Sequence, residues 1–155
     1  MASDLIYAFR VMRLPLLDAG GAPIGRIDDI VVVPGRSGTA PRVTGFVATS
    51  QRRRIFVNAN RVVSLDPEGA RLRSWDVDLN PFKARDGEHL LAADIIDKRV
   101  HGETVSDVAL RATASAREEG WEVAKVRLTR NGSFGRRSTY RLVEWNEVGG
   151  LFAVA

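Results

Sequence analysis

The sequence predicts an all-β protein made of two small, similar β-barrels in tandem, packed together and supplemented by short helical turns. Three observations point there. Residues 24–33 read Ile-Gly-Arg-Ile-Asp-Asp-Ile-Val-Val-Val, and a weakened copy returns at 103–110 as Glu-Thr-Val-Ser-Asp-Val-Ala-Leu. Runs rich in β-branched residues recur at short spacing, each bounded by Gly, Pro, Asn or Asp. In the first half these runs follow one another without a helical interval, which is the rhythm of a meander or barrel.

Taken in order, residues 1–8 read as an arm or the start of a first strand, and 9–17 as extended, with Pro15 favouring an edge. Asp18-Ala19-Gly20-Gly21-Ala22-Pro23 has the residues a tight reversal needs, so a hairpin leads into a strand at 26–33. Pro34-Gly35-Arg36-Ser37-Gly38 ends that strand. Strands at 42–49 and 53–57 follow, separated by a polar turn at Ser50-Gln51, and period-two alternation sets Ile55 and Val57 on one face and Phe56 on the other. Asn58-Ala59-Asn60 turns into 62–65, and Asp66-Pro67-Glu68-Gly69 turns into 70–75. Residues 79–89 lack a clear pattern and read as a connector between a first unit at 1–78 and a second at 90–155. Leu, Ala and Ile in 90–96 suit one or two helical turns.

The second unit follows the first with widening offsets. Val105, Asp107 and Val108 stand 78 positions after Ile27, Asp29 and Ile30, Val123 and Val126 stand 80 after Val43 and Phe46, and Val143, Asn146 and Val148 stand 86 after Val57, Asn60 and Val62. Offsets that grow only between strands mean insertions confined to loops, here 112–120 and 130–137. Units of this size are marginal alone, so the two are expected to lean on each other as one rigid body.

The chain has 155 residues, 45% of them apolar and 27% charged, which suits a folded water-soluble protein. It contains no cysteine, which excludes disulfides, thiolate metal sites and cysteine nucleophiles and favours a cytoplasmic address. The first ten residues lack the pattern of a secretory signal. The net charge of +4 is carried almost wholly by arginine and sits in the first half, where residues 1–86 hold 13 Lys+Arg against 9 Asp+Glu.

The pattern Asp18…Gly21…Ile24-Gly25-Arg26-Ile27-Asp28-Asp29-Ile30-Val31, then Pro41-Arg42-Val43-Thr44-Gly45-Phe46-Val47, resembles the PRC-barrel. Arg53-Arg54-Ile55-Phe56-Val57, Arg61-Val62-Val63-Ser64-Leu65-Asp66-Pro67 and Val143-Glu144-Trp145-Asn146-Glu147-Val148-Gly149-Gly150-Leu151 are similar to the N-terminal region of actinobacterial proteins related to the MgtE magnesium transporters. The resemblance implies a pair of PRC-barrel-like barrels of about six strands each, serving as a non-catalytic docking or regulatory module of a magnesium-transporter-like system. In those relatives the region precedes a helical domain and CBS modules, so a following domain of that kind, or a separate protein, is the implied partner. The rival reading is RNA or ribosome-associated binding, by analogy with the barrel of a ribosome maturation factor.

No constellation of reactive side chains accompanies the repeat. His89 and His101 lack a third ligand at zinc spacing, and their bland reading is as surface or loop residues. Asp76 and Asp78, two apart on an extended segment, project to one face and can hold a hard cation such as magnesium with water completing the shell; the bland reading is a solvated edge. No other cofactor is expected. Asp28-Asp29 point to opposite faces of a strand, and the repeated pair Asp29 and Asp107 read as acceptors for backbone or arginine donors. Arg52, Arg54 and Arg61, with Arg136 and Arg137 in a glycine-rich hairpin tip, are the candidate partner contacts, against a plain solvated face. Nucleic acid is the less favoured partner for them, and a membrane only an indirect one. Trp75, Trp121 and Trp145 read as core or as filling between the units. The apolar tail 149–155, with Leu151 and Phe152, is expected to pack on a following domain, a partner or a second copy of the chain.

Overall fold

Ile30, Val31 and Val32 are buried in succession rather than alternately, because the strand that holds them, β3 (Pro23–Val33), is covered on both faces. The computed structural model describes residues 5–35, 39–73, 81–83, 85, 87–114, 119–132, 137–148 and 151. Around β3 lie β1 (Leu5–Tyr7), β2 (Pro15–Leu17), β4 (Arg42–Ser50), β5 (Arg53–Asn58), β6 (Val62–Asp66) and β7 (Gly69–Leu72), followed by β8 (His89–Leu90), β9 (Arg99–Val100), β10 (Glu103–Ala114), β11 (Glu119–Arg130) and β12 (Thr139–Glu144). The protein is all-β: these strands form one curled sheet running β1-β10-β11-β4-β3-β2-β7-β6, with β5 on β4, β8 on β3, β9 on β10 and β12 on β11.

The internal repeat extends to the irregularities. The β3–β4 ladder slips between Ile27 and Asp29 and again between Val31 and Val32, and the β10–β11 ladder slips between Val105 and Asp107 and between Ala109 and Leu110. Each bulge re-aims the residues after it. The first turns Asp29 and Asp107 inward to 3% and 7% exposure, positions that simple alternation would not favour for an acid. Even minor bonds recur: Thr49 Oγ1 donates to Asp28 Oδ2, and Thr129 Oγ1 donates to Ser106 Oγ at the equivalent place.

The two copies meet where β4 and β11 begin. Arg42 pairs with Glu122, the residue that holds the same place in the second copy, so the junction is isologous like that of a twofold dimer. The Val123 amide donates to the Pro41 carbonyl at 2.8 Å, and Trp121 meets Phe46 edge to face with centroids 5.9 Å apart.

The segment leading each copy belongs spatially to the other. β1 pairs with β10 of the second copy, and the four-residue helix α1 (Ala8–Val11) packs beside it; β8 pairs with β3 of the first copy, and the π-turn Leu91–Ile95 packs there. The repeated aspartates fix both. Asp29 Oδ1 accepts from Ala92 N and Ile30 N at 2.7 Å each, and Oδ2 from Ala93 N at 3.2 Å. Asp107 Oδ1 accepts from Phe9 N at 3.1 Å and Val108 N at 2.8 Å. Residues 9–17 are therefore not continuously extended as the sequence suggested. A carboxylate 98 positions away caps the first turn, and a long-range partner of that kind leaves no local signature.

One core spans both copies. Ala8 and Val11 of the first leader and Leu91 and Ile95 of the second are buried in it, beside Ile27, Phe46, Val108 and Val126. Leu91 and Ile95, almost wholly enclosed, each stabilise their docking by about 1.5–3 kcal/mol. The exchange binds the halves together.

Candidate functional site

Docking α1 on the second copy leaves a groove between the arm and the sheet. It is lined by Tyr7, Phe9 and Arg10 from the arm and by Asp107, Arg127, Tyr140 and Leu142 from β10, β11 and β12, and encloses about 390 Å³. Its chemistry is unusual for this surface. Tyr140 (66% exposed), Phe9 (47%) and Leu142 (41%) are three of the four large apolar residues left exposed among the described residues. Gathering them in one concavity makes it the candidate contact surface, since isolated apolar residues would carry no such meaning.

The groove is also basic. The Arg127 guanidinium lies 4.3 Å from the centroid of the Tyr140 ring, and Arg13 covers the outer side of Phe9 at 4.7 Å. Arg127 Nε is buried and has no acceptor among the described residues, an unmet cost at a residue of the lining. The lining holds two cations, Arg10 and Arg127, against one carboxylate, Asp107, so its formal charge is positive. Beside the groove, Arg141 reaches the largely buried Glu103 through two bonds of 2.8 and 3.1 Å, and this pairing holds the Glu103 carboxyl below the usual range. In the first copy, burial pushes the Asp29 carboxyl upward against the opposing pull of its three backbone donors.

The residues singled out from sequence are scattered. Arg52 occupies the β4–β5 turn with a left-handed φ of 64°, and Arg54, on β5, lies over Phe82 at 5.9 Å. Arg61 is exposed at the end of the 3-10 turn Ala59–Arg61, where its carbonyl accepts from Arg73 N at 2.8 Å. Arg137 is exposed just before β12. Leu151 is buried to 3% in the core, so the tail position closest to the second copy packs inward and offers no side chain to a partner. Arg136, Phe152, Asp76, Asp78 and Trp75 lie outside the described residues. His101 sits at the two-residue turn between β9 and β10 with φ 49°, followed by Gly102 at 83°, the arrangement of a type I′ reversal. His89 lies on β8 with Nε2 buried and unpartnered among the described residues. Among those residues no group of three or more His, Asp or Glu side chains converges as a metal site would.

None of the groove apolar residues was singled out beforehand. Tyr140 and Leu142 carried a faint signal: with Val143 facing the core, alternation sends them away from the buried set, where two large apolar side chains have no structural task. Phe9 and Tyr7 gave none, because only the exchange of leaders brings them to β12.

A family model described as the actinomycetes SH3 domain matches residues 89–154. The match begins with β8 and so takes in the exchanged leader together with β9 to β12. No curated protein and no solved structure matches. The family found corrects the resemblance drawn from the sequence: what the second copy is similar to is an SH3 domain, and neither a PRC-barrel nor an MgtE-like model matches. The association with magnesium transport falls with it.

Proposed function

We propose that this protein is a non-catalytic, cytoplasmic docking module built from two small SH3-type barrels fused by exchange of their leading segments, and that it binds a protein partner through the groove of its second copy. The observation that carries this is the convergence of Phe9, Tyr140 and Leu142 with Arg10 and Arg127 in one concavity. The partner offers an apolar side chain next to a carboxylate, because the groove presents apolar surface together with the cationic side chains of Arg10 and Arg127. SH3-like domains commonly mediate protein–protein contacts, which agrees with this reading. An RNA partner would call for a track of cations at phosphate spacing and shows as binding that falls steeply with salt.

Selection of displayed random peptides on the immobilised protein tests the reading. Peptides enriched on the wild type and lost on a Tyr140→Ala/Leu142→Ser variant are the expected result, with apolar and acidic residues prominent among them. Equal enrichment on both proteins overturns it.

A further inference from the structure

The first copy contains the position equivalent to this groove, and there the chain's own connector pairs with the adjoining edge of β5. Pro81 forms an antiparallel bridge with Ile55 on the outer edge of β5, the Phe82 amide donates to the Arg54 carbonyl at 3.2 Å, and the Arg54 guanidinium lies over the Phe82 ring. By the offset of 86, Arg54, Ile55 and Phe56 correspond to Tyr140, Arg141 and Leu142. The outer edge of β12 has no strand against it among the described residues. That edge has neither proline nor a bulge and is six residues long, with Arg141 and Glu144 as its charged residues.

We infer that the partner segment binds as an added strand, antiparallel to β12, in the register that residues 81–82 adopt on β5, and sets an aromatic side chain beside Tyr140 in the groove. This rests on the docking reading above and specifies its mode. The backbone of the segment pairs with β12, the first amide donating to the Tyr140 carbonyl as Phe82 does to Arg54. Its aromatic residue meets Tyr140, Leu142 and Phe9. A carboxylate nearby accepts from Arg127 or Arg10. Main-chain bonds supply affinity and the alternate side chains supply selectivity, as in other strand additions. The occupant is a protein segment of the acidic, proline-aromatic type that this chain itself has at 76–83, Asp-Val-Asp-Leu-Asn-Pro-Phe-Lys.

That octapeptide, added to the full-length protein, is the probe, followed by amide chemical shifts and hydrogen exchange. The expected result is a saturable set of shifts at Phe9, Tyr140 and Leu142, with slowed exchange of amides in β12. Binding should weaken about tenfold or more in Tyr140→Ala, a residue exposed enough to be replaced without unfolding the sheet. A peptide N-methylated at its phenylalanine loses the amide that pairs with Tyr140 and should weaken similarly. If the N-methyl peptide binds as well as the parent, or the shifts come without slowed exchange in β12, strand addition is wrong while docking in the groove stands. Shifts confined to β5 mean that the peptide merely replaces the connector and overturn the inference, as does a free protein already dimeric with its β12 amides protected. No shift at groove residues, together with failure of the peptide selection, removes both readings.

Discussion

Asp107→Ala should detach the N-terminal arm, and the size of the effect follows from two bonds. The Asp107 carboxylate accepts from the Phe9 amide, far away in sequence, and from the adjacent Val108 amide, at 7% exposure. Alanine leaves both donors without an acceptor in a region water barely reaches, each at a cost of about 1–3 kcal/mol, so a total of roughly 2–4 kcal/mol is expected after partial relaxation. For a chain of this length that corresponds to a fall of roughly 5–15 °C in Tm. Asp107→Asn keeps an oxygen for both bonds and should lose only about 1 kcal/mol. Urea unfolding followed by tryptophan fluorescence reads the total, and hydrogen exchange of residues 5–11 reads where it falls. Those amides should exchange far faster in the alanine variant, and the groove should lose its Tyr7–Phe9 wall. An alanine variant as stable as the wild type, or one destabilised with the arm amides unchanged, would refute the account of the aspartate as the arm's anchor.

Other perturbations probe the rest of the fold. Gly45→Ala places a Cβ 2.4 Å from the Phe56 ring and 2.6 Å from the Val57 carbonyl, and should cost at least about 1–3 kcal/mol in thermal or urea unfolding. Glu103, held below its ordinary pKa by Arg141, stabilises the fold above its unfolded value of 4.5, and that contribution disappears as pH falls through the folded value; Glu103→Gln should flatten this part of the acid limb of a stability–pH curve. Asp29 has the opposite sign: raised by burial, it contributes most below 3.8, and the contribution is lost as pH rises through the folded value. The stability gap between wild type and Asp29→Asn should thus be widest in acid and narrow toward neutrality, on top of a constant loss from the Ala93 bond, which the amide group cannot accept.

The parts of this fold legible in the sequence are those that depend on local pattern. The hairpin at Asp18, whose carboxylate accepts from Gly20 and Ala22 at 2.9 Å each, follows from turn chemistry. The Ile27–Val33 run follows from β-branching and from its return in the second copy at 105–110. The helical turn near 90–96 was also legible, though it is a π-turn, with Ile96 N donating to Leu91 O at 2.7 Å. The exchange of leaders was not legible. Nothing between residues 5 and 11 names Asp107 as a partner, and β1 is too short to show a period. The groove stayed hidden for the same reason, since its two walls come from opposite ends of the chain and meet only through that exchange. Arginine runs drew attention because charge is visible in one dimension, whereas an apolar concavity exists only in three.

The two copies show where selection for binding would act on a shared plan. Positions that build the sheet agree in kind: Ile27 with Val105, Asp29 with Asp107, Val57 with Val143. At the groove they diverge. Val47, Arg54 and Phe56 of the first copy stand where the second has Arg127, Tyr140 and Leu142, and Ala92 and Ala93 of one leader stand where the other has Phe9 and Arg10. In the first copy the leader residues are small and a chain segment lies along the edge of β5, with the Arg54 guanidinium over the Phe82 ring. In the second, Arg127 stands for Val47 and Phe9 and Arg10 for the two alanines, and these line an open groove with Tyr140 and Leu142. Stability alone does not call for this difference, because exposing Tyr140 and Leu142 gains no burial and an Arg127 Nε without an acceptor costs free energy. A partner that covers the rings turns their exposure into binding energy, so truncating Tyr140 should weaken binding strongly while leaving the unfolding midpoint nearly unchanged.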